Sequence, residues 1–248
     1  MTGTPYNPNT PPPVPLTPSQ LGVRPAPELV QKLLVGAFGW MFAGLLLSAG
    51  VAYLVGSSFE LYHRVVQYWF FIFIAQLVLS VVIQGAINKL SPTVSLLLFF
   101  VFCATMGLTI GVIVANVMAT QGGATAVASA FLSAAGMFAG AAIYGGVTKR
   151  DLSGMRGILF MGVFGIFIAM LVNAFLLRSE SIYFVISIIG VLLFTALTAY
   201  DVQRITRGDY AAWTKSIERA SVVAALHLYL NFINLFLFLL RIFGGSRN

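Results

Sequence analysis

Charge is what this chain has least of. Of its 248 residues only 8% are Asp, Glu, Lys or Arg, against about 25% in a soluble domain, so a water-facing surface of ordinary polarity cannot be built from it. Cysteine is nearly absent as well: the single Cys103 excludes an intramolecular disulfide and reads as a small packing residue. Two histidines, His63 and His227, are too few for a metal cluster, so no fixed metal site and no cofactor are expected. After residue 28 proline all but disappears, because nine of the ten lie before that point. The N-terminus has no basic stretch leading into an apolar core, so no signal peptide is expected. Segments of about ten residues with alternating polarity are missing too, which excludes a transmembrane β-barrel, and no internal repeat stands out.

What fills the chain is apolar. The hydrophobic set makes up 59% of the residues, with 24 glycines and 21 phenylalanines, a composition suited to packed helices in lipid. Seven apolar stretches run over approximately 33–55, 66–87, 93–115, 123–147, 156–177, 181–205 and 221–243, each long enough to cross a hydrocarbon core of about 30 Å. Turn-forming residues mark the breaks: Gly56-Ser57-Ser58, Ser91-Pro92, Gln121-Gly122-Gly123, Lys149-Arg150-Asp151 and Arg178-Ser179-Glu180. The expected architecture is an all-α membrane protein of seven transmembrane helices over residues 29–248, preceded by a Pro-rich tail over 1–28. Such a tail cannot bury enough apolar surface to offset its ordering entropy, and is expected to be disordered.

The net charge of +7 does not point to nucleic acid, since the cations stand singly or in pairs between apolar runs. They divide unevenly between the two sides of a seven-span topology. Arg24, Lys32, Lys89, Lys149, Arg150, Arg156, Arg204, Arg207, Lys215 and Arg219 fall on one side; Arg64, Arg178, Arg241 and Arg247 fall on the other. The excess predicts a cytoplasmic N-terminus and an external C-terminus. The setting expected is a bacterial plasma membrane, or the endoplasmic reticulum for a eukaryotic chain. Within the fourth stretch, Gly136 and Gly140 lie four apart, a spacing that lets helix backbones approach, and packing within the chain is expected of them. Tyr53, Tyr68, Trp69 and Tyr183 near span ends fit an interfacial belt.

Polar groups inside the spans need a reason, because an ionised side chain at mid-bilayer costs about 3 kcal/mol even on insertion scales. Asp201 closes the sixth stretch about one turn inside its cytoplasmic edge. Thr198 lies one turn before it on the same face, within hydrogen-bonding reach. In the seventh stretch His227, Asn231, Asn234 and Arg241 fall within a stripe of roughly 80°. Spans six and seven are antiparallel neighbours, so Asp201 and Asn231 come to comparable depths. Lys89, at the end of span two, reaches the same zone, where an Asp201–Lys89 ion pair would plug the bundle. Two readings stay open: a gate, or interhelical hydrogen bonds that stabilise the bundle by around 0.6 kcal/mol per contact. Pairing of Asp201 with Arg204 at the interface is the plainer alternative.

These residues also carry a resemblance. Ala225-Leu-His-Leu-Tyr-Leu-Asn-Phe-Ile-Asn-Leu-Phe-Leu-Phe-Leu-Leu-Arg-Ile-Phe-Gly244 resembles the closing signature of the Bax inhibitor-1 family. Leu197-Thr-Ala-Tyr-Asp201 with Gln203-Arg204-Ile205 is similar to that family's sixth span, and Leu90-Ser91-Pro92 and Gly107-Leu-Thr109 are compatible with its second and third. The resemblance implies a seven-helix fold with the last helix at the centre, and a calcium-leak activity whose gate senses pH. In that mechanism an aspartate of span six and one of span seven share a proton beside a basic residue of span two. Carried onto this chain the positions are Asp201, Asn231 and Lys89. Calcium would pass near Asp201 without a fixed site. Asn231 is a departure from the family: two adjacent carboxylates titrate as a coupled pair, whereas an Asp–Asn pair predicts a single-site response.

Rival chemistries find little support. An aspartyl intramembrane protease needs two membrane aspartates and only Asp201 is near a span; a serine type lacks a Gly-x-Ser-x-Gly elbow beside His227. A retinal-binding protein needs a lysine deep in a span, and Lys32, Lys89, Lys149 and Lys215 all sit at span ends or in loops. No enzyme activity is expected. A proton-coupled cation transporter, and a regulator that binds other membrane proteins, remain as alternatives to a leak channel; the oligomeric state is open.

Overall fold

The computed structural model describes residues 25–245. The Pro-rich tail, up to residue 24, lies outside the described residues, as do Arg24 and Arg247. Nine α-helices are present among the described residues: α1 (Pro27–Ser57), α2 (Phe59–Gln67), α3 (Trp69–Ala86), α4 (Pro92–Met118), α5 (Gly123–Val147), α6 (Arg156–Val172), α7 (Glu180–Thr206), α8 (Asp209–Thr214) and α9 (Ile217–Gly245). A 3-10 turn, Ser153–Met155, leads into α6, and a π-helical turn, Asn173–Leu177, carries it on. Seven of these segments are long and apolar enough to cross a membrane, and α2 and α8 are short connectors between them. Helix α1 starts earlier than the apolar pattern suggests because Pro27 sits in its first turn, where a missing N–H leaves nothing unsatisfied.

Local chemistry sets the breaks. Ser58, Ser91 and Ser179 cap α2, α4 and α7, their hydroxyls accepting the backbone N–H of Leu61, Val94 and Ile182 at 3.3, 3.2 and 3.4 Å. Between α4 and α5 the chain reverses at Gly122, whose φ of +75° is in the left-handed region that favours glycine. Both ends of the α6 segment are held by amide side chains that bond backbone in both directions. Gln203 donates to the Arg150 carbonyl and accepts from the Leu152 N–H, at 2.8 and 2.9 Å. Asn173 donates to the Ser179 carbonyl and accepts from the Ser179 N–H, at 3.0 and 3.1 Å.

The architecture is the expected one, with the last helix at the centre. In α9, 78% of its most apolar 18-residue stretch is buried by other helices, against 11–39% in the other six spans. Tyr229, Leu226, Leu228, Leu235 and Leu240 of α9 are fully buried, and α1, α4, α5, α7 and α8 all pack against this helix. Outward-facing positions such as Val35, Phe71, Phe160 and Leu192 are exposed, as a lipid-facing surface requires.

The small residues of α5 correct one expectation. A Cβ added at Gly136 or Gly140 meets nothing within 4 Å; both face outward, and neither packs within the chain. Close approach is made instead by Gly145, where a Cβ would stand 2.1 Å from the Ala199 carbonyl oxygen of α7. The turn between Gly136 and Gly145 amounts to about 180° of helix, which is why the two lie on opposite faces.

Candidate functional site

Five residues before the end of α7, the Asp201 side chain points into the bundle and is almost wholly buried, at 4% exposure. Its two oxygens have separate partners. Asn231 of α9 donates its Nδ2–H to Oδ2 at 2.8 Å. The Tyr210 hydroxyl of α8 donates to Oδ1 at 2.8 Å. His227, one turn before Asn231 on α9, holds Nδ1 at 2.8 Å from the Tyr210 oxygen and 3.4 Å from Oδ1. The other ring nitrogen, Nε2, lies 3.0 Å from Oε1 of Gln84 on α3. Arg204, one turn after Asp201, stands 3.7 Å from Oδ1, donates to the Tyr210 oxygen at 3.2 Å and lies over the Tyr210 ring at 4.2 Å. Helices α7, α8 and α9 therefore meet at one carboxylate, and α3 joins the cluster through His227. A buried carboxylate with three neighbouring donors is the arrangement in which a charge survives desolvation.

The family pattern described as "Inhibitor of apoptosis-promoting Bax1" matches residues 30–248. The chain belongs to the Bax inhibitor-1 family. It is 42% identical to the inner membrane protein YbhL of Escherichia coli K12 over 224 residues, 88% of this chain and 93% of that protein. An uncharacterised protein of Borreliella burgdorferi is 42% identical over 223 residues, covering 88% of this chain and 93% of its own length. One from Deinococcus radiodurans is 39% identical over 222 residues, covering 89% and 93%.

Within this Bax inhibitor-1 framework the polar stripe on α9 divides. His227 and Asn231 join Asp201. Asn234 does not; its amide donates to the Leu230 carbonyl of its own helix at 2.8 Å. Arg241 lies ten residues beyond Asn231, about 15 Å along the axis, and caps the opposite end of the bundle. There its guanidinium lies 3.6 Å from the Tyr183 ring centre and 3.9 Å from Glu180. Thr198 is fully buried, but its hydroxyl donates to the Phe194 carbonyl at 2.8 Å. That carbonyl, one turn back, outcompetes the neighbouring carboxylate. Lys89 is exposed, and no hydrogen bond or ion pair of its side chain occurs among the described residues. Helix α3 ends at Ala86 and the following turn carries Lys89 outward. The permanently charged cation beside Asp201 is Arg204.

Two members of the cluster lie outside the sequence expectations. Gln84 was visible as a polar side chain in an apolar run, but an uncharged amide 143 residues from its partner gives no pairing signal. Tyr210 sits in the connection between α7 and α9, where no helical periodicity marks it as interior. It is fully buried, and burial together with the Asp201 carboxylate pushes its phenol well above the usual tyrosine range.

At the opposite end of the bundle a cavity of about 670 Å³ is lined by α1, α4, α5 and α9, including Ser48, Ala52, Gly111, Phe131 and Phe232. Beneath it the Ser48 hydroxyl and the Tyr229 hydroxyl are 2.7 Å apart, and the rings of Phe99 and Phe102 stand edge-on to Tyr229.

Proposed function

We propose that the chain is a cation leak channel of the plasma membrane whose conduction responds to pH through Asp201, with calcium as the ion. The carrying observation is the buried Asp201 carboxylate at the meeting of α7, α8 and α9, bonded to Asn231 and Tyr210 at 2.8 Å each. A negative group in that position attracts either a divalent cation or a proton, so occupancy by one disfavours the other. The cavity on the far side supports an entry vestibule. The uneven division of cations between the two sides of a seven-span topology, ten against four in the sequence, supports a cytoplasmic N-terminus. With an amide in place of the second carboxylate, the response is that of one acid rather than a coupled pair.

Calcium flux into liposomes holding the purified protein, recorded against pH, tests this reading. Asp201→Asn is expected to flatten the pH profile, and Asn231→Asp to split it into two steps. An unchanged profile in Asp201→Asn removes the carboxylate as sensor. Flux that follows an imposed proton gradient would make the protein a transporter. Impermeability to calcium at every pH would leave a regulator that binds other membrane proteins.

A further inference from the structure

We infer that the junction of α7, α8 and α9 binds one proton in excess of its neutral tautomers, that His227 carries it, and that it ties α8 over Asp201. The inference rests on the gating reading above for its consequence for flux alone. A count of hydrogens carries it. The Gln84 amide is oriented by its own helix, because its Nε2–H group donates to the Ser80 carbonyl and hydroxyl at 3.1 Å. A carbonyl oxygen can only accept. Oε1 of Gln84 is therefore the atom turned to His227, and Nε2 of the imidazole must carry a hydrogen. On the other side the Tyr210 oxygen lies 2.8 Å from both Asp201 Oδ1 and His227 Nδ1. A phenol has one hydrogen for these two contacts.

Donation by Asn231 to Oδ2 favours an ionised Asp201, so the tyrosine hydrogen goes to Oδ1. The remaining 2.8 Å contact then needs a hydrogen on Nδ1, and an imidazole protonated at both nitrogens is a cation. If the phenol instead turned to Nδ1, the extra proton would sit on the carboxyl group, and the count would be the same. Without that proton two lone pairs face each other at hydrogen-bond distance, and one contact opens. Arg204 does not relieve this, since its N–H occupies the second lone pair of the tyrosine oxygen.

The ionisable groups facing His227 are Asp201 from α7 and Tyr210 from α8, with Arg204 beyond them; α3 presents the neutral Gln84. Tyr200 and Asp209 lie within electrostatic reach of Arg204. No hydrogen bond or ion pair joins His227 to α1, α4 or α5 among the described residues. The histidine is the more open member of the cluster, its side chain 23% exposed against 6% for Asp201. What the proton holds is a hinged segment. The six-residue α8 is bounded by left-handed residues at both ends, Gly208 with φ of +73° and Lys215 with φ of +54°. Tyr210 is the α8 residue bonded to Asp201 and His227, and Asp209 and Thr214 beside it are buried as well.

Two readouts independent of ion flux test the inference in liposomes. Nitrogen-15 histidine spectra contain two residues, and His63→Gln assigns them. With Trp40→Phe and Trp69→Phe, Trp213 on α8 is left as the sole tryptophan and reports the position of that helix. The expected result is a His227 ring protonated at both nitrogens at low pH. On raising the pH its deprotonation should share a midpoint with a shift in Trp213 emission, and His227→Gln should lose that shift while keeping native helix content by circular dichroism. Tyr210→Phe is a second variant, expected to keep the histidine titration and lose the emission change. A His227 ring singly protonated throughout the range in which the protein stays folded would overturn the proposal. So would a Trp213 shift that persists in His227→Gln. If flux were absent while both readouts behaved as expected, the channel reading would fall and the proton site would stand.

Discussion

A threonine inside a helix has a carbonyl one turn back within reach of its hydroxyl, and Thr198 uses it, at 2.8 Å from the Phe194 oxygen. The prediction at this position is therefore mild. Thr198→Val keeps the shape and removes a bond made within one helix, and should change thermal unfolding in detergent by less than ~1 kcal/mol with the pH response intact. Asp201 is different in kind, because removing its charge strands donors from three elements. Asp201 and the pair His227 and Asn231 were legible in the sequence, since an ionisable group or a four-residue polar spacing in an apolar span has few physical explanations. The partners on the other side were not. Formal charge favoured Lys89, but chain geometry at the end of α3 decides the matter and leaves Gln84 inside. Tyr210 was hidden because a connecting segment carries no periodicity from which burial can be read.

Among the elements, α5 shows how two glycine positions with similar sequence surroundings differ in consequence. Gly145→Ala would drive a Cβ into the α7 backbone at Ala199 and should destabilise by about 1–3 kcal/mol. Gly136→Ala and Gly140→Ala face outward and should be neutral or stabilising by up to about 1 kcal/mol; thermal unfolding of the three variants separates the cases. The loop into α6 gives a pH prediction. Asp151 accepts the Ser153 N–H at 2.9 Å and pairs with Arg207. These contacts, the backbone bond first, hold its carboxyl at about 2, below the ordinary 3.8. A depressed folded value means that the contribution is fully present above about pH 4 and is lost as pH falls through about 2. The side chain is 65% exposed, so after solvent screening Asp151→Asn should cost no more than ~0.5 kcal/mol, read as a loss of stability at neutral pH that vanishes in strong acid. The spans themselves were legible from length and apolarity. Short α8 was not, because its course depends on left-handed backbone at Gly208 and Lys215, and Lys215 is a residue that seldom announces it.

For the whole molecule, the charge imbalance makes a topological prediction that can be checked in intact cells. Cys103 is buried, so single cysteines introduced at exposed Ser57 and Lys149 report cleanly on the two sides. A membrane-impermeant maleimide should label Ser57→Cys directly and Lys149→Cys after permeabilisation; the reverse pattern would invert the proposed orientation. The central position of α9 bears on how the molecule is made. Chain order places the axle of the bundle after the other six spans, four of which pack directly on it. During synthesis those spans must enter the bilayer and wait, with the Asp201 carboxylate lacking its Asn231 partner. Pairs such as α1 with α4 and α5 with α7 can form in the meantime, but the bundle is completed only when α9 arrives, and a ribosome that stops before Ile217 leaves them without the helix that joins them, a natural substrate for membrane proteolysis.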